Sequence, residues 1–204
     1  TSEKPTILAS YAIDKFNIKA LNPLGEDVIN NIRGQISGDG IISGLLENPD
    51  INGYLFLEKA GLAIPYLNVN YDFVGKPRVE LSNQTFNFLP TTLRDIVKNT
   101  EGKLSGSISH HKFEKWILDL AIDTDNLLVL NTEEQEDMQY YGTVFMDGMA
   151  TIKGYTDGLV IDVEGKTNPN TEFIIPLSDV STIGDSKLIN FVTNSENGIN
   201  NNES

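Results

Sequence analysis

The chain has 204 residues, 39% of them hydrophobic, a formal net charge of −14 and no cysteine. That length holds one sizeable domain or two small ones. The acidity excludes a phosphate-neutralising nucleic-acid binder and disfavours unaided docking to an anionic membrane surface, while the missing cysteine excludes disulfides and thiolate metal sites.

In chain order, the opening Thr1-Ser2-Glu3-Lys4-Pro5 lacks the basic and apolar regions of a signal peptide and reads as a cut inside a longer protein. No run approaches the ~20 apolar residues of a spanning helix, so any anchor is expected outside this chain. Asp27 to Ile32 has the spacing for a turn or two of helix, with Val28, Ile29 and Ile32 inward. Tyr54 to Glu58 reads as a strand. Leu67 to Phe73 alternates apolar and polar residues without a break, giving a strand with one apolar and one wet face. Val79-Glu80-Leu81 and Phe86-Asn87-Phe88 alternate more briefly. Thr92 to Lys98 predicts a second short helical turn, with Leu93, Ile96 and Val97 inward. Trp116 to Asp123 and Leu159 to Glu164 are further alternating strands, and Leu127 to Leu130, apolar throughout, predicts a strand covered on both faces. Residues 1–192 are expected to form a single β-rich module, and 193–204, rich in Asn, Ser and Glu, a disordered polar tail.

A short pattern recurs: Ile36-Ser37-Gly38, Ile42-Ser43-Gly44, Leu104-Ser105-Gly106 and Ile152-Lys153-Gly154. After it come a variable loop and an alternating strand, the look of a repeated strand-turn-strand unit. Glycine weakens a strand unless the sheet bends there or another backbone comes close, and regularly placed strand glycines coil a sheet. The fold class is therefore all-β, either a curled, antiparallel-rich sheet with very short helices or an ordinary sandwich with glycine at its turns.

Chemistry finds little footing. His110 and His111 are neighbours that a strand would turn to opposite faces, and His111 with Glu114 lacks the second histidine of a zincin helix. Asp123-Thr124-Asp125 places two carboxylates on one side of a strand end. The glycine an EF-hand loop needs at its sixth position is Leu128 here, so a solvated turn is expected. There is no phosphate-binding loop and no nucleophile elbow, so the chain reads as non-enzymatic, with no catalytic residue, metal or cofactor. Asn83-Gln84-Thr85 matches a glycosylation sequon, a pattern too short to inform. Tyr140 and Tyr141 before Gly142 are expected to close a hydrophobic edge rather than to stack sugars.

Several stretches together resemble a known family. They run from Gly53-Tyr54-Leu55 through Ala60-Gly61-Leu62-Ala63-Ile64-Pro65-Tyr66-Leu67-Asn68-Val69 to Gly106-x-Ile108-x-His110-x-x-Phe113-x-x-Trp116-x-Leu118-x-Leu120. Leu128-Val129-Leu130-Asn131-Thr132, Tyr140-Tyr141-Gly142-Thr143-x-Phe145-x-x-Gly148 and Ile152-x-Gly154 follow. Lys166-Thr167 and Thr171-x-Phe173-x-Ile175-Pro176-Leu177 complete the set. Over about residues 15–190 this resembles the C-terminal part of the TamB family (translocation and assembly module subunit TamB), in its Bacteroidota type. The resemblance implies a periplasmic protein, held in the inner membrane by an N-terminal helix not present here. Its membrane contact lies outside this fragment. It implies a curled sheet with a greasy interior, the β-taco of AsmA-like bridge-type lipid transfer proteins, and a partner barrel of the outer-membrane Omp85 superfamily (TamA-like). The implied work is phospholipid transport to the outer membrane, with acyl chains as ligand. The positions expected to line the hollow are Leu67, Val69, Tyr71, Phe73, Trp116, Leu118, Leu120, Ile122, Leu159, Ile161 and Val163. The alternative implied by the same family is a scaffold for outer-membrane protein assembly, in which sheet edges pair with strands of the client by β-augmentation.

Overall fold

A computed structural model describes residues 4–20, 29–135 and 139–176. Eleven strands follow one another: β1 (Thr6–Asn17), β2 (Asn30–Leu45), β3 (Asn48–Ile64), β4 (Val69–Phe73), β5 (Arg78–Ser82), β6 (Thr85–Asp95), β7 (Glu101–His111), β8 (Lys115–Thr132), β9 (Tyr141–Tyr155), β10 (Gly158–Thr167) and β11 (Glu172–Ile174). All belong to one antiparallel sheet in the order β1-β2-β3-β4-β6-β7-β8-β9-β10. The meander follows from short turns between alternating segments, which make consecutive strands neighbours.

Two rows of the sheet are broken strands. β4 pairs with the second half of β3 and β5 with its first half, and β6 runs along both. Val74-Gly75-Lys76-Pro77 separates the two pieces, opposite the irregularity of β6 at Leu89-Pro90. Both breaks contain a proline, which cannot donate to a ladder. β10 and β11 share the far flank of β9 in the same manner, interrupted at Asn168-Pro169-Asn170-Thr171.

The structure corrects three local expectations. The strand expected over Leu67 to Phe73 begins only at Val69, because Pro65–Leu67 forms a 3-10 turn. Asn68 ends that turn in the left-handed region (φ 50°), its N–H donating to the Pro65 carbonyl at 2.9 Å. In the segment from Asp27 to Ile32, residues 27 and 28 lie outside the described residues and Asn30 to Ile32 begins β2 rather than a helix. Thr92 to Lys98 is no helix either. Thr92 to Asp95 completes β6, and the chain then turns about the Asp95 side chain, leaving Ile96 and Val97 exposed. The Asp95 carboxylate accepts the N–H groups of Val97 (2.8 Å), Lys98 (3.0 Å) and Thr100 (2.9 Å) and the Thr100 hydroxyl (2.9 Å). An acidic side chain that gathers the following N–H groups competes directly with a helix, and here it wins. The polar tail expected at 193–204 lies outside the described residues.

The recurrent pattern has a single geometric meaning. Gly38 stands opposite Leu55, Gly106 opposite Leu120, Gly154 opposite Leu118, and Gly44 opposite Pro49. Side chains alternate along a strand and register partners share a face. Each glycine and the hydrophobe two residues before it therefore lie on one side of the sheet, and the intervening Ser or Lys lies on the other. On that side the backbones crowd at Gly38, Gly106 and Gly154, though not at Gly44. A Cβ on Gly106 (φ +120°) would overlap the Asp119 carbonyl oxygen, and one on Gly38 would overlap that of Tyr54.

Gly106→Ala combines a left-handed backbone with a collision and is expected to cost about 2 kcal/mol or more. Gly158→Ala, where a Cβ meets nothing within 4 Å, is expected to leave the urea midpoint nearly unchanged. For Asp95, burial opposes ionisation, but the hydrogen bonds from Lys98, Thr100 and Val97 outweigh it and hold the carboxyl below its usual range. A carboxyl lowered on folding stabilises fully above its unfolded value of about 3.9 and loses that contribution as pH falls through the folded value. Asp95→Asn is therefore expected to lose about 1.5–3 kcal/mol at neutral pH, with the gap to the unsubstituted protein closing in acid, as read by denaturant titration across that range.

Candidate functional site: the apolar face of the sheet

The register carries one face across the sheet. On β8, Trp116, Leu118, Leu120 and Ile122 stand opposite His110, Ile108, Gly106 and Leu104 of β7. On the other flank, Leu118, Leu120 and Ile122 stand opposite Gly154, Ile152 and Ala150 of β9, which face Leu159, Ile161 and Val163 of β10. Toward the other edge, Ile108 meets Phe86, Phe86 meets Leu81, Val79 meets Leu55, and Gly38 meets Ile13 of β1. Tyr71 and Phe73 stand opposite Asp95 and Leu93 of β6. Leu93 meets Gly102, which meets Thr124, two residues past Ile122 and so on the same side. Ten of the eleven sequence-predicted positions therefore share this face. Leu67 sits in the 3-10 turn and packs against the same cluster.

Burial divides the face into two regions. Val69, Tyr71 and Leu118 are buried, whereas Leu67, Phe73, Trp116, Leu120, Ile122 and Leu159 are half-buried. Ile161 and Val163 on the last long strand are each 60% exposed. The expectation that Leu127 to Leu130 is covered fits the first region, since Leu127, Leu128 and Leu130 are all buried.

The buried region exists because the sheet curls onto itself. Laid flat, β4 and β8 would be three strand spacings apart, about 14 Å, further than a tyrosine side chain reaches. Yet the Tyr71 hydroxyl donates to the Leu128 carbonyl at 2.7 Å, and Val69, Tyr71, Leu93, Leu104, Leu127, Leu128 and Phe145 form one cluster. Register shifts on both sides of Leu128, between Thr124 and Leu127 and between Leu128 and Leu130, interrupt its ladder. Its N–H is taken by the Thr100 hydroxyl at 2.8 Å, the same hydroxyl that donates to Asp95. Side chains from β4 and from the turn after β6 thus hold both backbone groups of Leu128. Burial pushes the Tyr71 phenol far above its usual range, with the Asp95 charge adding to the effect, so it stays a neutral donor. Asn68 adds a hydrogen bond to the Asn131 carbonyl at the same end.

The remaining sequence candidates fall as follows. Tyr140 packs edge-on against Tyr66 (centroids 5.7 Å) and at a tilt against Phe173 (5.8 Å), within an aromatic cluster at the sheet edge. His110 and His111 do face opposite sides: His110 is buried and His111 exposed. Asp123-Thr124-Asp125 lies within β8 rather than in the expected turn: Asp123 and Asp125 are exposed, while Thr124 between them is buried and donates to the Met146 carbonyl at 2.6 Å. Among the described residues, no three His, Asp or Glu side chains are placed to hold a cation, and no helix is long and apolar enough to cross a membrane. Sequence reading missed the capture of Leu128 and the role of Asp95. No local pattern signals the first, because Tyr71 and Leu128 lie far apart in the chain. The Asp95 turn is local, its partners two to five residues on, and an Asp that caps its own turn was the available signal.

An antiparallel all-β module built around a curled, apolar sheet face is the class of protein this geometry defines. The chain belongs to the TamB family: it matches the TamB C-terminal domain over residues 91–204, more than half of its length. Membership places it among envelope proteins and, broadly, in outer-membrane biogenesis. Neither the comparison with curated proteins nor that with solved structures found a match. For the curl itself, Tyr71→Phe removes the hydroxyl that donates across it to the buried Leu128 carbonyl. The expected loss is about 1–3 kcal/mol, read as a lowered denaturation midpoint with the far-UV spectrum retained.

Proposed function

We propose that this segment shields lipid acyl chains along its apolar face during phospholipid transport to the outer membrane. The observation that carries the reading is the continuity of that face. The register joins apolar side chains and glycines from β1 to β10. Asp95, the carboxylate described on that side, is spent on its own turn. A sixteen-carbon acyl chain in water costs on the order of 13 kcal/mol, at ~0.8 kcal/mol per CH₂. A carrier has to offset most of that without holding the lipid at any one place, and a wall with few hydrogen-bonding groups does so. Exposure at Ile161 and Val163 leaves part of that wall open to a ligand.

The second reading, a scaffold in outer-membrane protein assembly, draws on a different feature. β10 closes the described row of the sheet, and nearly all of its residues are exposed. A free edge is a template for another strand, and a barrel of the Omp85 superfamily would be the partner in either case. The two readings differ in what the purified segment carries. Shielding predicts phospholipid in an organic extract of the protein, detected by mass spectrometry, and its loss in Leu120→Asp/Ile161→Asp with the sheet intact by circular dichroism. Ile161→Asp/Val163→Asp, confined to exposed positions, serves if the first pair unfolds. Lipid retained by both folded variants, or absent from the unsubstituted protein, would count against shielding and for edge pairing.

A further inference from the structure

The turn joining β7 to β8 holds an arrangement that neither reading uses. Lys112 and Phe113 both adopt left-handed backbone conformations (φ 57° and 60°), which are unfavourable for side chains of their size. Two contacts hold Phe113 there. Its N–H donates to His110 Nδ1 at 3.2 Å, and its ring stacks on the imidazole with centroids 4.0 Å apart and planes 21° from parallel. Phe113 itself is 48% exposed, while His110 beneath it is 5% exposed. Trp116 and Phe86 complete the cluster, at 5.1 Å and 5.9 Å from the His110 ring. Phe113 is thus a cap over aromatic residues at the rim of the apolar face.

The hydrogen bond fixes the state of the imidazole. Because Nδ1 accepts, the single proton of the neutral ring is on Nε2, which is buried and has no partner among the described groups. A second proton has to go to Nδ1, where it removes the lone pair that holds Phe113. It also creates a charge among aromatic rings shut away from water. We propose that His110 is an acid-released latch: protonation at Nδ1 breaks the bond to Phe113, frees the strained turn, and uncovers Trp116 and Phe86 at the rim of the apolar face.

The surroundings agree. From β6 the facing group is Phe86 and from β8 it is Trp116, neither of them titratable. The charged and titratable groups of the turn, His111, Lys112, Glu114 and Lys115, are exposed. Burial first, then the neighbouring His111, lowers the basicity of His110, so the latch stays shut at neutral pH and opens below the ordinary histidine range. The latch is independent of what the face carries.

Trp116 is the single tryptophan of the chain and reports directly on the cap. Acrylamide quenching of its fluorescence is expected to rise severalfold on acidification from about pH 8 to about pH 4, an interval that extends below the ordinary histidine range. Phe113→Ala is expected to show the high value throughout, and His110→Phe to show no pH dependence in that interval. If His110→Phe fails to fold, His110→Gln, whose amide does not titrate, carries the same expectation. A flat profile for the unsubstituted protein, or the same acid-induced rise in a folded His110 variant, would overturn the latch.

Discussion

Close approach of backbone to backbone on the apolar side of the sheet is the constraint from which the rest follows. At Gly38 and Gly106 a neighbouring carbonyl occupies the space a Cβ would need. Removing side chains from one face lets that face contract while the other keeps its full complement, and the sheet coils toward the bare side. The polar residue of each recurrent triplet is outside by the same alternation that puts the glycine inside. Bending and amphipathicity are therefore one property of the pattern.

Curling brings distant strands within reach, and polar groups then secure the result. The ladder is irregular on both sides of Leu128, and unpaired buried backbone is costly. Thr100 and Tyr71 meet that need from the opposite side of the curl. Asp95 holds the turn that presents Thr100 and stands opposite Tyr71 in the register. A bulge, a turn and one phenol thereby keep one end of the face closed, while the last long strand stays open to solvent.

Exposure along this face is graded, with a buried cluster at the curl and Ile161 and Val163 in solvent at the edge strand. A uniformly buried face would be a core and nothing more. A uniformly open one would aggregate, since large exposed apolar patches invite association. The gradient gives a firmly held end and an accessible remainder, the combination that membership of the TamB family makes meaningful for work in the envelope.

Period-two alternation and the spaced glycines were enough to read the fold class from the amino-acid sequence, and to select Trp116, Leu118, Leu120, Ile122, Leu159, Ile161 and Val163 as residues of one face. Those features are local, repeating every two residues whatever the strands pair with. Where a single side chain overrode the pattern, sequence reading failed: Pro65 and Asn68 delayed β4, and Asp95 replaced an expected helical turn. Only the tertiary structure decided which part of the face is closed. That depends on Tyr71 meeting Leu128, 57 residues away in the chain, and no periodicity encodes a contact made across the curl.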